Sequence, residues 1–281
     1  MDEIIIDLKT LIKNLNKIIK LVDIYTKIKG NPTFNAYVLE KKISEIERVI
    51  KELPEFGLIT SLNKWVTQEK IGIEKIKEDF RFRFGQELKA LLQKDGKKIR
   101  GQYPLLRIGL YTLKLNFEFG EAVLYFGPEV EKLKSKIPLQ PEIISEAIKK
   151  YDDELRAVKF TPEEIFKDLS QAYRNKLTLA NKPFGEKLLI TEVLSEFVFS
   201  KQSKQFFIDP KRSNFQEYPR VRLSYLFYLL KKSNLFQRGL RLHVATFDAT
   251  VNKLHSFWIP ENENGDGTYY SYISFEKNQN A

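Results

Sequence analysis

Lysine and arginine are concentrated in one short part of the sequence, among phenylalanine, tyrosine and leucine. Between residues 201 and 241, ten Lys and Arg stand against Asp209 and Glu217, so this segment carries +8 of the net charge of +10. Cations on a firm apolar body attract polyanions, and in nucleic acids they contact phosphate. The predicted phosphate ligands are nine of these cations: Lys201, Lys204, Lys211, Arg212, Arg220, Arg222, Lys231, Lys232 and Arg238.

Aromatic residues stand between these cations. Phe206, Phe207, Phe215 and Tyr218 could stack on bases, although aromatic residues in such numbers more often belong to a protein core. A second basic stretch, 81–114, has nine positive residues against two acidic ones. The rest of the chain is close to neutral or acidic, so a general excess of lysine does not explain the distribution of charge.

The elements predicted around the cations run helix, turn, helix and hairpin over residues 189–260. This is the order of elements in a winged-helix module, whose second helix enters the major groove. The run 223–230 argues against base reading, because Ser224 is its only strongly polar residue and a recognition helix needs an exposed polar face. We therefore expect a core segment with basic ends that contacts the phosphate backbone without reading sequence.

Residues 1–95 have the apolar spacing of helices. In the first helix, a row at intervals of three and four is joined by a second row at intervals of seven, Ile5, Ile12 and Ile19. Gly30 and the residues after it predict the end of this helix. The pattern predicts either an intramolecular helical bundle or an elongated coiled-coil arm that docks a partner subunit.

Residues 96–281 mix strand and helix patterns, so the predicted fold class is α+β, with a helical N-terminal part and a basic body of helices and antiparallel hairpins. Alternating apolar residues on both sides of 118–121 predict a β-hairpin. Thr161 and Glu164 have the spacing of a capping box at the start of a helix. Alternation also predicts strands at 239–247, 252–260 and 268–276.

The two histidines of the chain are its candidate metal ligands. If the strands around them form a hairpin, His243 and His255 oppose each other on one face. A metal site would need a third ligand, such as Asp248 or Asp266, and facing histidines more often only pack or bond to neighbours. We therefore expect neither a metal nor another cofactor.

The sequence lacks the motifs of common enzymes. It has no glycine-rich phosphate loop and no GxSxG turn, and without cysteine it has no disulfide and no thiolate metal site. A metal-dependent nuclease needs several carboxylates converging on a cation. We expect a non-enzymatic protein, and a divergent metal-dependent nuclease is the alternative that would use Asp209, Glu217, Asp248 or Asp266.

The sequence predicts a cytoplasmic protein with no membrane association. It has no uninterrupted apolar run of about 18 residues, and its start is acidic before it is apolar, unlike a secretory signal. The predicted function is a nucleic-acid-binding subunit, on DNA rather than RNA, of a prokaryotic genome-maintenance or antiviral defence complex. Its N-terminal helices would dock a protein partner. The alternative reading is a protein–protein adaptor with no affinity for nucleic acid.

Overall fold

The computed structural model of the chain describes residues 2–30, 32–157 and 160–276. Helices and antiparallel strands both occur, which confirms the predicted α+β class. The chain forms two compact units. Unit 1 is Met1–Asp95, Asn116–Glu121 and Pro138–Ile144, and unit 2 is Gly96–Leu115, Ala122–Ile137 and Ser145–Ala281.

Unit 1 is built on three helices, and the middle one packs against both of the others. Leu39, Ile43 and Ile46 of the middle helix are fully buried and form the core with Ile18 and Tyr25 of the first. This packing is that of a helical bundle. The helices are α1 Asp2–Lys29, α2 Pro32–Ile50 and α3 Gly57–Lys94.

The second apolar row of α1 lies outside this core. Ile5, Ile12 and Ile19 are each about half exposed, whereas the row at intervals of three and four supplies the buried residues. Leu8, which lies between the first two members of the row, is exposed as well. The helix α1 therefore has two apolar faces, one buried in the core of unit 1 and the other exposed.

The first sheet is a five-stranded meander in which each strand neighbours the next along the chain. The hairpin predicted around residues 118–121 joins its third and fourth strands, as expected from the alternation. The strands are β1 Ile99–Gln102, β2 Leu105–Ile108, β3 Tyr111–Asn116, β4 Glu121–Phe126 and β5 Glu131–Pro138.

Helices and a second sheet follow. Thr161 and Glu164 form the predicted capping box, in which each side chain bonds the other residue's main-chain N–H. No helix within the described ranges has both the length and the apolar character needed to cross a bilayer. The helices are α4 Pro141–Arg156, α5 Pro162–Leu179, α6 Ile190–Ser200, α7 Lys204–Ile208, α8 Arg220–Lys232 and α9 Phe247–Thr250; the strands are β6 Leu188–Leu189, β7 Leu240–Val244, β8 Phe257–Pro260 and β9 Gly267–Phe275.

The predicted hairpin across residues 239–260 is wrong, and the winged-helix order fails with it. β7 and β8 do not pair with each other, because both pair antiparallel with β9, which also pairs with β6. The segment between β7 and β8 contains the helix α9 in place of a tight turn, and the Thr246 side chain caps that helix. The strand predicted at 268–276 is present and is the centre of the sheet.

α8 is the core helix of unit 2. Leu226, Phe227 and Leu230 are almost completely buried, in one cluster with Phe197 of α6 and Ile273 of β9. Its two ends are basic, as the sequence predicted for this segment. A helix buried in this way has no free polar face with which to read base edges.

Candidate nucleic-acid interface

One glutamine fixes the two ends of a loop between α6 and α8. Gln202 is only 7% exposed. Its Nε2 donates to the main-chain oxygens of Val198 (2.9 Å) and Gln216 (3.1 Å), and its Oε1 accepts from the Gln216 N–H (2.8 Å). The chain therefore leaves the body at Gln202 and returns at Gln216, and we call residues 203–215 the pinned loop.

Local hydrogen bonds order the inside of the pinned loop. The Ser203 hydroxyl accepts from the Phe206 N–H (3.2 Å) and so caps the start of α7. The main-chain oxygen of Asp209 accepts from the Asn214 amide (2.8 Å) and from the Lys211 N–H (2.8 Å). These hydrogen bonds restrain the backbone of the loop at several points.

Four phenylalanine rings pack together at the pinned loop. The ring centroid of Phe199, at the end of α6, lies 5.2 Å from that of Phe207, and the two ring planes meet at 89°. The ring centroid of Phe206 lies 5.7 Å from that of Phe207 and 5.6 Å from that of Phe215. Phe207 is 53% exposed, Phe199 52% and Phe215 40%. The three exposed rings make this patch a candidate interaction surface.

The aromatic residues named by the sequence thus separate into two kinds. Tyr218 is buried in the core of unit 2, where aromatic residues are most often found. Phe207 and Phe215 are exposed, and Phe206 is half-buried between them. Phe199, which the sequence did not single out, completes the group.

Two cations of the pinned loop are exposed and form no ion pair within the described ranges, Lys204 and Arg212. Lys204 precedes Phe207 by three residues in α7, so the two lie on the same side of the helix. Arg212 precedes Phe215 by three residues across a 3-10 helix, which also brings them to one side. The aromatic–basic surface is defined as Phe199, Lys204, Phe206, Phe207, Arg212 and Phe215.

A groove of about 430 Å³ continues this surface over the body, because Phe199 and Phe215 also belong to its lining. Arg222 lies beside the groove, with its guanidinium 5.0 Å from the centroid of the Tyr218 ring, which is part of that lining. Arg222 forms no ion pair in the described part of the chain, and its buried Nε has no hydrogen-bond partner there. After Lys204 and Arg212, Arg222 is the third cation in this region that has no carboxylate partner among the described residues.

Three other predicted phosphate ligands near the pinned loop are paired with carboxylates. Lys201 contacts Asp168, Lys211 lies 2.7 Å from Asp209, and Arg220 lies 2.9 Å from Glu131. The pair of Lys211 is solvent-exposed on both sides, so it contributes little and exchanges readily. Lys201 and Arg220 are partly buried and belong to the structure of the body.

The remaining three predicted ligands lie at the opposite end of α8. The helix has 13 residues and is therefore about 20 Å long. Lys231 contacts Glu261, and Lys232 lies 3.0 Å from Glu263, whose pKa this hydrogen bond lowers. Arg238 follows the helix and is exposed. The nine cations do not converge on one face, and the ones that accompany the exposed aromatic rings are Lys204 and Arg212 of the pinned loop.

The two histidines are not opposed, so the expectation of a facing pair is wrong. His243 lies opposite Tyr272 of β9, with its Nε2 2.9 Å from the Ser274 hydroxyl. Burial and the nearby Lys187 lower the pKa of this imidazole. His255 is exposed in the segment before β8. Across residues 2–30, 32–157 and 160–276, no three His, Asp or Glu side chains are grouped so as to hold a metal ion.

A basic row that the sequence did not single out lies on β5, outside the segment 201–241. Lys132, Lys134 and Lys136 of β5 are exposed and form no ion pair with other described residues. Their alternation in the sequence was the signal that could have identified them. β5 is an edge strand, and lysine on an edge strand hinders pairing with the sheet of another molecule. This role explains the lysine row, so no ligand has to be invoked for it.

A scan against protein-family models found no match, and searches of curated proteins and of solved structures found no similar protein. Within unit 2, the aromatic–basic surface combines exposed rings, unpaired cations and a backbone held by hydrogen bonds.

Proposed function

We propose that the protein is a non-enzymatic subunit that binds nucleic acid through its phosphate backbone, without preference for sequence. The observation that carries the proposal is the pair Lys204 and Arg212, exposed and without ion pairs in the described chain, on a loop whose ends are hydrogen-bonded to each other. Phosphate neutralised by such cations releases counterions, which drives sequence-independent binding.

Unpaired cations are better phosphate ligands than paired ones, because no existing ion pair has to break when phosphate arrives. Among the described residues of unit 2, Lys204, Arg212 and Arg222 meet this condition. Lys211 comes close to meeting it, because its ion pair with Asp209 is exposed to solvent. Asp209 is the only carboxylate in the pinned loop. The local field is therefore positive and attracts polyanions.

The setting we propose is a cytoplasmic DNA-binding complex of a prokaryote, active in genome maintenance or antiviral defence. A chain without cysteine suits a reducing compartment. The exposed apolar row on α1 suits a subunit that is joined to other proteins.

A salt titration tests the phosphate contacts. The affinity for a labelled DNA oligonucleotide is measured by fluorescence anisotropy over a range of salt concentrations. Each phosphate contact contributes about −0.7 (single strand) to −0.9 (duplex) to the slope of log affinity against log salt. Changing Lys204, Arg212 and Arg222 together to Gln should weaken binding and reduce the magnitude of the slope by about 2 to 3.

Arg238→Gln is the matched control, because Arg238 is also exposed and unpaired in the described chain but follows the other end of α8. It should leave affinity and slope nearly unchanged. A triple variant with the wild-type slope would remove the pinned loop from the interface. The absence of any binding to DNA or RNA at about 0.1 M salt, where the Debye length is about 10 Å, would refute the proposal as a whole.

The exposed row of α1 favours a second candidate function, that of a protein–protein adaptor. Ile5, Ile12 and Ile19 recur every seven residues, as in a coiled-coil seam, and they are exposed together with Leu8. A cleft of about 390 Å³ lies beside Leu8, between α1 and the end of α2. We propose that this face takes an apolar helix of a partner protein. Ile12→Asp should abolish co-purification with that partner and leave DNA affinity unchanged.

A further inference from the structure

We infer that the ligand of the aromatic–basic surface is single-stranded nucleic acid, whose bases stack on Phe199, Phe207 and Phe215. This inference rests on the proposed function, because it assigns the form of nucleic acid that the same surface takes. The rings provide a contact that phosphate binding alone does not need.

The exposure of the rings is the first observation. Phe199, Phe207 and Phe215 each leave at least 40% of their surface in water, although other aromatic residues close in sequence, such as Phe197 and Tyr218, are buried. In a duplex the faces of the bases are stacked on one another and cannot meet a protein ring. Single strands offer these faces, and every base has one, so stacking tolerates any sequence.

The repeated spacing of cation and ring is the second observation. Lys204 stands three residues before Phe207, and Arg212 stands three residues before Phe215, in each case on one side of a helical turn. A single strand has a phosphate next to every base. A strand that places one phosphate at Lys204 and another at Arg212 therefore brings bases towards both rings.

The groove supplies a third observation, since Phe199 and Phe215 lead directly into it. Its volume of about 430 Å³ is that of a site for a small organic molecule, so a nucleobase fits. Leu194, Tyr218 and Leu254 give it an apolar lining, and Arg220 and Lys253 lie at it as well. An unstacked base can enter such a groove, whereas a base pair within a duplex cannot.

Three labelled DNAs of equal length separate stacking from charge: a single strand of mixed sequence, its duplex, and a strand whose sugars carry no bases. All three present phosphates, but only the first presents free base faces. Fluorescence anisotropy should show the tightest binding for the single strand. The strand without bases should bind more weakly by about 5-fold or more, the effect of losing one stacked base.

Phe207→Leu and Phe215→Leu test the rings themselves. Leucine keeps the apolar contacts with Phe199 and Phe206, so the variants should fold, which their thermal unfolding checks. Each should lower the affinity for the single strand about 5-fold or more and leave the affinity for the strand without bases unchanged. Phe119→Leu is the matched control, because Phe119 is an exposed phenylalanine that lies outside unit 2, in the turn that joins β3 to β4.

The outcomes distinguish this inference from the proposed function. If all three DNAs bind equally, and the Leu variants match the wild type while the Gln triple variant binds less, phosphate binding stands and base stacking is wrong. If no nucleic acid binds, both are wrong. The exposed Ile208 beside the rings then makes the loop a docking surface for an apolar protein segment.

Discussion

The Arg220 guanidinium is bound to Glu131 at 2.9 Å across 89 residues of sequence, and the same guanidinium ties down a third segment of the chain. It donates to the main-chain oxygens of Lys253 (3.1 Å) and Ser256 (2.8 Å), and it lies 4.7 Å from the centroid of the Phe257 ring. Arg220 therefore joins β5, α8 and the segment before β8 within unit 2. These contacts link parts of the body, and the assignment of Arg220 as a phosphate ligand stays a prediction.

Arg220→Met should lower the free energy of unfolding by about 2–3 kcal/mol, because it removes an ion pair and leaves two carbonyl oxygens without a donor. Arg220→Lys should recover little of this, since an ammonium cannot reach several acceptors as a fork. Urea unfolding measures both. Arg212→Met is the control and should stay within about 0.5 kcal/mol of the wild type. A stable Arg220→Met protein that no longer binds DNA would make Arg220 a ligand after all.

The Gln202 side chain should be required for the order of the pinned loop. Gln202→Glu has the same shape, but a carboxylate cannot donate to the main-chain oxygens of Val198 and Gln216, so it should lower stability by about 1–3 kcal/mol. The variant should also be cut by protease within residues 203–215 and should bind DNA more weakly. Gln205→Glu, on the exposed side of α7, is the control. Equal cleavage of the two variants would show that Gln202 does not hold the loop.

Acid stability should depend on Asp152. Burial raises the pKa of its carboxyl, but hydrogen bonds from Lys97 (2.7 Å) and Arg156 (3.2 Å) outweigh burial, and the pKa lies below its ordinary value. A carboxyl with a lowered pKa in the folded state stabilises the protein above about pH 4, its unfolded pKa, and this contribution is lost as pH falls through the folded pKa.

Asp152→Asn should therefore be less stable than the wild type at neutral pH, by about 1–3 kcal/mol, and should lose less further stability below about pH 4. Urea midpoints measured across acid pH give both quantities. Asp153→Asn, which changes an exposed neighbour, serves as the control. Parallel curves for Asp152→Asn and the wild type below pH 4 would contradict the assignment to this carboxyl.

The exposed row of α1 should contribute little to the stability of the chain itself. Changing Ile5, Ile12 and Ile19 together to Gln should alter the free energy of unfolding by no more than about 1 kcal/mol. Ile43→Ala, in the core of unit 1, should cost about 2–5 kcal/mol and calibrates the assay. A loss in the triple variant as large as that of Ile43→Ala would mean that the row belongs to the protein's own core.

Local signals in the sequence were sufficient for much of the fold. The end of α1 at Gly30, the hairpin around 118–121 and the capping box at Thr161 each depend on a few neighbouring residues. Such signals act through backbone geometry and short-range hydrogen bonds, so they can be read without knowing the rest of the chain.

Long-range pairing was not predictable in the same way. The sequences of β7 and β8 alone predict a hairpin, but in the structure each strand pairs with β9. No residue within 239–260 indicates that the two strands pair with β9 and not with each other. The partner of Arg220 lies 89 residues away, and the sequence does not point to Glu131 among the chain's 37 acidic residues. Charge density predicted a basic region but not which cations were already paired.

The candidate site illustrates the same limit in its aromatic residues. Phe207 and Phe215 have the composition of a core segment, and Tyr218, three residues after Phe215, is buried as that composition predicts. The loop that carries Phe207 and Phe215 is held by Gln202, whose side chain bonds the main chain of a residue 14 positions later. Sequence spacing alone carries no sign of that bond.

Because the chain departs from the body at Gln202 and rejoins it at Gln216, the segment between them can be exchanged as one piece. Its ends are already side by side, so a different sequence can be grafted there while the hydrophobic cluster under α8 stays intact. If the segment binds nucleic acid as proposed, its preference can change in a single exchange of surface residues, and the scaffold that supports the graft need not be rebuilt.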